Sequence, residues 1–216
     1  PKSGKEDTTR SRSLLFFSHA ILLASGMNKP VKLYIPENGV ISMNIPLTEH
    51  RMGSLSTRTT HPYFMGLLQE LLNSLDLKIT IVNPYQFKTK GEMMLECKDF
   101  DFLKSNYPLT MSCSHPDLGR WKKETESSHC GVCLPCTIRR AAIMKAGLKD
   151  ESFYRDPQYK DIEAETNLRS YKLGLTQKKT PIWAIQESGP ITHHRQDFAD
   201  LYQRGLAELK EFIDTL

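Results

Sequence analysis

Four of the five cysteines in this chain stand in the pattern Cys113-x16-Cys130-x2-Cys133-x2-Cys136. Two-residue gaps let one short segment wrap a single ion, and a distant cysteine closes the fourth corner. The spacing therefore predicts a tetrahedral metal centre, and Zn2+ is the ion that prefers four soft thiolates. A thiolate-only site has no ligand position left for water and is structural. Its binding free energy, on the order of 10–16 kcal/mol in small zinc peptides, is also folding free energy. Four thiolates outweigh the charge of the ion, and a helix opened by Cys136 (Thr137 to Ala146), with Arg139 and Arg140, offsets part of the excess. Reduced or redox-active thiols, and disulfides, are the competing readings of the same residues. His115 and His129 flank the ligands and read as supporting or surface groups, although either could replace a ligand. Cys97 lies outside the spacing, in an apolar helix, and reads as a small core residue.

The rest of the composition is that of an ordinary globular chain. With 216 residues, 39% hydrophobic and 25% charged, it has the size of one domain or two small ones, and wholesale disorder or a collagen-like repeat is excluded. The 29 Lys and Arg exceed the 25 Asp and Glu by only four. That small, scattered excess gives no positive support for nucleic-acid binding and leaves small anionic ligands open. The apolar run Leu14 to Met27 follows Glu6 and Asp7, is interrupted by Ser18 and His19, and is too short to span a bilayer. It reads as a buried helix, so no membrane is expected and the location is cytoplasmic. Pro1 to Ser13 is polar and has no core of its own, as in the later part of a longer polypeptide.

Along the chain, Ser13 to Ser25 predicts that helix, with Ser11 or Ser13 as N-cap and Gly26 as terminator. Val31 to Ile35 reads as a short strand running into the turn Pro36-Glu37-Asn38-Gly39, where Gly39 supplies positive φ. A helix is expected from His61 to Leu75, with Thr60 or His61 near its cap and Pro62 at the first helical position. Leu77 to Val82 reads as a strand ending at Asn83-Pro84. This alternation predicts part of a parallel α/β sheet. Lys90 to Lys98 then reads as helical, and the polar stretch Leu148 to Pro190 as irregular or as short surface helices. Phe198, Leu201, Tyr202, Leu206, Leu209, Phe212, Ile213 and Leu216 recur every three or four residues. They predict an amphipathic C-terminal helix that packs on a core or a partner.

Two loops have the chemistry of a ligand site. Glu37, Asn38 and Gly39 follow the first strand, and ligands of open α/β sheets bind at the carboxyl ends of strands; Glu-Asn-Gly is also an ordinary turn. The stretch Arg51 to Pro62 brings Arg51, Arg58, five hydroxyls and His61 to the start of a helix. Such a set can bind phosphate or carboxylate, or can simply cap the helix.

The block Cys130-Gly-Val-Cys133-Leu-Pro-Cys136-Thr-Ile-Arg139-Arg-Ala, preceded by Thr110-Met-Ser-Cys113, resembles the zinc motif of the 7-cyano-7-deazaguanine synthase (QueC) family. Ile81-Val-Asn-Pro-Tyr-Gln-Phe-Lys-Thr89-Lys90-Gly-Glu92 sits where that family has a strand followed by a Thr-Lys-x-Glu helix start. Arg10-Ser-Arg12-Ser and the apolar helix after it are similar to the family's second helix. The Pro36-Glu-Asn-Gly loop and the Ser-Thr-Arg-Thr-Thr-His-Pro block resemble the defence-associated QueC-like branch, such as the QueC-like component of Qat anti-phage systems. Together these matches span residues 10 to 147.

The resemblance implies a Rossmann-like PP-loop (HUP) α/β fold. Residues 1–100 would be the C-terminal portion of its parallel-sheet domain, 101–147 a four-cysteine zinc subdomain and 148–216 a helical C-terminal extension. It implies a C–N ligase in which ATP, with Mg2+, adenylates the carboxylate of a 7-deazaguanine. Ammonia then displaces AMP to give an amide, and a second activation dehydrates the amide to a nitrile. In the defence branch a protein amine can stand in for ammonia, which adds a protein substrate or defence-complex partner to the small molecule. The expected substrate-binding residues are Glu37, Asn38, Arg58, Thr59 and His61, and the expected phosphate contacts are Arg12 and Lys90. The family's pyrophosphate loop, Ser-Gly-Gly-x-Asp-Ser, does not occur in these residues. The resemblance therefore assigns it to an N-terminal PP-loop part of the same protein, the first expected partner, and predicts that this chain alone is inactive. The first cysteine gap is longer than is usual in the synthases, and Glu37 to Arg51 replaces their aromatic and acidic loop. Two alternatives remain, a non-catalytic zinc-stabilised interaction module and another PP-loop activity such as tRNA thiolation.

Overall fold

Two parallel strands and the helices around them carry the first part of the chain. The structure, a computed structural model, describes residues 12–44, 60–117, 119, 126–177 and 179–216. Strand β1 (Val31–Tyr34) pairs with β2 (Ile79–Val82), with Val31 opposite Ile79 and Tyr34 opposite Val82. Parallel strands need a crossover, and α3 (Pro62–Ser74) lies within it. Because side chains alternate along a strand, Val31, Leu33, Ile79 and Ile81 share one face, where α1 (Arg12–Ser25) adds Ile21 and Ala24 and α3 adds Leu72. Lys32, Tyr34 and Thr80, on the other face, are exposed. The outer edge of β2 is closed by a side chain, since Gln69 of α3 accepts the Ile81 amide and donates to the Ile79 carbonyl. The parallel pair expected from the sequence is thus present, whereas a full Rossmann-like sheet is not formed among the described residues.

Four local expectations are corrected here. Helix α1 is not buried: Leu14, Leu15, Phe16, Leu22 and Leu23 are all exposed, because a helix apolar on nearly every side meets the two-stranded sheet along one face only. The Pro36–Gly39 turn leads straight into a short helix, α2 (Gly39–Met43), with the Asn38 side chain accepting the Ile41 amide at 3.0 Å. Gly39 does not take positive φ. Its lack of a side chain is needed for close approach instead, since a Cβ there would stand 2.0 Å from the Gln86 carbonyl oxygen and 2.3 Å from Leu201. Helix α4 (Lys90–Leu95) ends before Lys98, because Asp99 accepts the Phe102 amide at 2.9 Å and starts α5 (Phe100–Asn106). Cys97 consequently lies in the connection, half-buried, with its thiol directed at the Asp99 carbonyl rather than into a core.

The main core is helical. Helix α6 (Leu134–Lys145) lies at its centre and buries Ile138, Ala141, Ala142 and Ile143 between α4, α7 (Ile162–Thr176) and α9 (Arg195–Ile213). Helix α9 buries Phe198, Leu201, Leu209, Phe212 and Ile213, which belong to the stripe visible in the sequence. Helix α7 runs through a stretch whose composition predicts irregular structure. Ala164, Leu168, Tyr171 and Leu175 give it one apolar face at helical spacing, diluted by charged neighbours. A single turn, α8 (Pro181–Ala184), leads into the loop before α9. Among the described residues no helix is long and apolar enough to cross a membrane.

Candidate functional site

The thiol groups of Cys113, Cys130, Cys133 and Cys136 converge, all within 4.8 Å of one another. A tetrahedron with Zn–S bonds of about 2.3 Å requires S···S separations of about 3.8 Å, and Cys130 and Cys136 already stand 3.9 Å apart. Local backbone builds this knuckle. The Cys133 amide donates to the Cys130 sulfur, and the amides of His115 and Cys130 donate to the Cys113 sulfur, each at 3.3 Å. Gly131 takes φ +88°, a conformation that suits glycine. Cys133 caps α6, and Pro135 and Cys136 lie in its first turn, so this helix begins three residues earlier than the sequence suggests. Its N-terminal dipole faces the thiolates and offsets their charge. The donor set and its separations fit a Zn2+ ion held by all four thiolates.

The surroundings of the tetrad are polar and mostly bonded, the buried Ser128 Oγ and Arg139 Nε being the atoms left without a hydrogen-bond partner among the described residues. His129 is buried, and its Nε2 donates to the Thr110 carbonyl at 3.1 Å, which places Nδ1 3.9 Å from the Cys136 sulfur. It acts as a supporting group, and exposed His115 contributes only its backbone. Arg139 is also buried, donating to Thr110 Oγ1 and the Tyr107 carbonyl, both at 2.6 Å, and to Ser152 Oγ at 3.0 Å. Crowding of four thiols perturbs them all. Hydrogen bonds from the other three hold Cys113 far below the ordinary thiol range, and the same sharing pushes Cys133 and Cys136 up.

A second cluster sits at the carboxyl ends of the strands, where open α/β sheets bind ligands. Glu37 follows β1 and Lys90 follows β2, and each feels the other's charge. Burial raises the Glu37 carboxyl above its ordinary value, partly opposed by Lys90. Burial lowers the Lys90 ammonium, partly opposed by Glu37. Asn38 donates to Glu37 Oε1 through its backbone and side chain, at 3.2 and 3.1 Å, and Asn83 Nδ2 donates to the Glu37 carbonyl at 2.8 Å. Lys90 Nζ donates to Ser112 Oγ at 3.2 Å, one residue from the first cysteine of the tetrad. A cavity of about 360 Å³ opens nearby, lined among others by Asn83, Gln86, Tyr63, Glu70, Thr192 and His193.

Of the residues expected at a ligand site, Glu37, Asn38 and Lys90 come together. His61 takes another place: it is buried as the cap of α3, with Nδ1 accepting the Tyr63 amide at 3.2 Å and Nε2 3.3 Å from Ser188 Oγ. Arg58 and Thr59 lie outside the described residues, as does the Arg12 side chain. Sequence reasoning misses Asn83 and Ser112. The pattern around Asn83 marks only the end of a strand, and nothing local in Ser112 signals a site.

Fold and site together define a parallel α/β protein with a four-cysteine centre that can hold a structural metal. Residues 59–147 match the family model described as queuosine biosynthesis protein QueC. That stretch holds the tetrad, β2 and Lys90, and its likeness is to a family of ATP-using, ligase-like enzymes. No curated protein and no solved structure gives a significant match.

Proposed function

We propose that this chain is the zinc-stabilised part of a QueC-like enzyme that uses ATP to activate the carboxylate of a 7-deazaguanine, in anti-phage defence. What carries this reading is the link between the two halves of the site. The QueC-matching stretch contains both the tetrad and Lys90, and Lys90 bonds Ser112 beside the first ligand. In the first step a carboxylate oxygen attacks the α-phosphorus of ATP, and pyrophosphate leaves. An amine then attacks the acyl carbon, loses a proton, and AMP departs with one former carboxylate oxygen. With ammonia as the amine the product is an amide, which a second activation converts to a nitrile. With an amine of a partner protein the product is a conjugate.

Each residue has a defined task in this reading. The Lys90 ammonium and the Arg12 and Arg58 guanidiniums offset the charge that develops on phosphate and acyl oxygens. Glu37, held by Asn38, takes the proton that the attacking amine must lose. Thr59 contributes a hydroxyl to the substrate, and His61 fixes the start of α3 beside the cavity. Zinc bound by the four cysteines supplies no chemistry and holds Ser112 in place. The remaining ATP-binding residues belong to an N-terminal PP-loop part.

The test supplies the full-length protein with ATP, Mg2+, ammonium and 7-carboxy-7-deazaguanine, then follows AMP and the masses of the deazaguanine and of co-purifying protein. AMP together with an amide, nitrile or protein adduct is expected. A folded, zinc-loaded protein that releases no AMP would instead be an interaction module.

A further inference from the structure

We infer that α9, which lies beyond the QueC-matching stretch, belongs to the candidate site: Glu208 and Arg204 are positioning residues that set where the Lys90 ammonium stands. The contacts bracket Lys90. Glu208 Oε2 accepts the Thr89 hydroxyl at 2.6 Å, and its Oε1 accepts the Gly91 amide at 3.0 Å, so one carboxylate holds the residues on either side of Lys90. Arg204 reaches further out, donating from Nε to Glu92 Oε1 at 2.7 Å and from Nη2 to the Phe87 carbonyl at 2.8 Å.

The helix that begins here does not need this help in order to form. Thr89 and Glu92 already make a reciprocal capping box, in which Thr89 Oγ1 accepts the Glu92 amide at 3.1 Å and Glu92 Oε2 accepts the Thr89 amide at 2.9 Å. Burying a carboxylate is costly unless it is well bonded, and Glu208 is only 7% exposed. Residue 91 leaves space for it, since a Cβ at Gly91 would stand 2.6 Å from Glu208 Oε2. A buried acid added to an already capped turn fixes the backbone from which Lys90 projects towards Glu37 and Ser112. The α9 stripe itself is anchored elsewhere, on α6 and α8. The geometry of the Lys90 turn is thereby tied to the C-terminal helix.

This inference rests on the reading of Lys90 as a ligand contact, and the test separates the two. In the zinc-loaded full-length protein, the Lys90 Nζ titration is followed by NMR with labelled lysine, in wild type, Glu208→Ala and Arg204→Ala. Burial keeps the wild-type ammonium below the ordinary lysine value; the charged groups it faces are Glu37 after β1, Arg139 of α6 and the Cys136 thiol. Glu208→Ala should raise the midpoint by about one unit or more towards the ordinary value, and Arg204→Ala, at a half-exposed position, by less. Lysines away from Glu208 should not move; Lys145, which faces Glu208, does not serve as a control. An unchanged Lys90 midpoint in folded Glu208→Ala overturns the inference. If Glu208→Ala does not fold, an unchanged midpoint in Arg204→Ala does so. If the midpoint moves while AMP release stays at the wild-type rate, the positioning holds and the ligand role of Lys90 falls.

Discussion

Gln69 meets Ile81 as a third strand would. Its Oε1 accepts the Ile81 amide at 2.8 Å while its Nε2 donates to the Ile79 carbonyl at 3.0 Å, so a primary amide supplies the one donor and one acceptor of a strand residue. This closes one edge of the sheet to further pairing. Gln69→Ala leaves both backbone groups without their partners, one of them on buried Ile79. The expected loss is about 1–3 kcal/mol, read as a lower urea midpoint at unchanged slope. An unshifted midpoint would show that water serves this edge equally well.

The tetrad predicts a stoichiometric metal and a release of protons on binding it. Sharing of hydrogen bonds lowers Cys113 and Cys130 and raises Cys133 and Cys136, so the metal-free cluster holds protons that zinc must displace. Zinc binding near neutral pH should therefore release protons in step with metal uptake, measurable with an indicator dye in weak buffer. Affinity should fall as pH falls, because protons compete for the same sulfurs. Cys136→Ser should abolish stoichiometric zinc retention, and Cys97→Ser should leave it unchanged.

Arg139 ties two separate segments to α6, one through Tyr107 and Thr110 and the other through Ser152. Its planar fork matches acceptors that a single ammonium cannot reach together. Arg139→Leu should cost about 1–3 kcal/mol, since it removes three hydrogen bonds made by a buried guanidinium, and Arg139→Lys should recover less than half of that. Thermal unfolding of the zinc-loaded protein is the measurement. Equal stability of the lysine variant and wild type would contradict the fork argument.

Glu208 carries a pH signature of its own. Burial raises its carboxyl above the ordinary value, against the lowering effect of the Thr89 and Gly91 bonds. A folded pKa above the unfolded one means that the folded state binds the proton more tightly, so stability falls as pH rises from the ordinary carboxylate range through the folded value. Glu208→Gln lacks this dependence. The difference in unfolding free energy between variant and wild type should therefore shift in the variant's favour as pH rises above the ordinary carboxylate range. A constant difference would mean that burial does not perturb Glu208.

What the sequence discloses depends on how local each signal is. The cysteine spacing, Pro62 at the start of α3 and the α9 stripe are short-range patterns, and all three reappear in the structure. Helix α7 is hidden because Ala164, Leu168, Tyr171 and Leu175 are spaced among charges. The neighbours of Gly39 point to a turn, whereas Gln86 and Leu201, distant in sequence, are what exclude a side chain there. Glu37 and Lys90 are each legible as candidates, but their approach depends on the pairing of β1 with β2. Glu208 and Thr89 lie 119 positions apart, and no local pattern could join them.

The segment between Cys113 and Cys130 is closed at its neck independently of the metal. The Ser128 amide donates to the Pro116 carbonyl at 3.1 Å, Arg155 donates to the same oxygen at 3.0 Å, and Ser127 bonds Asp117 at 2.7 Å. Contacts outside the ligand set therefore bring Cys113 and Cys130 together, so part of the ordering that a bound ion requires is met by the fold itself.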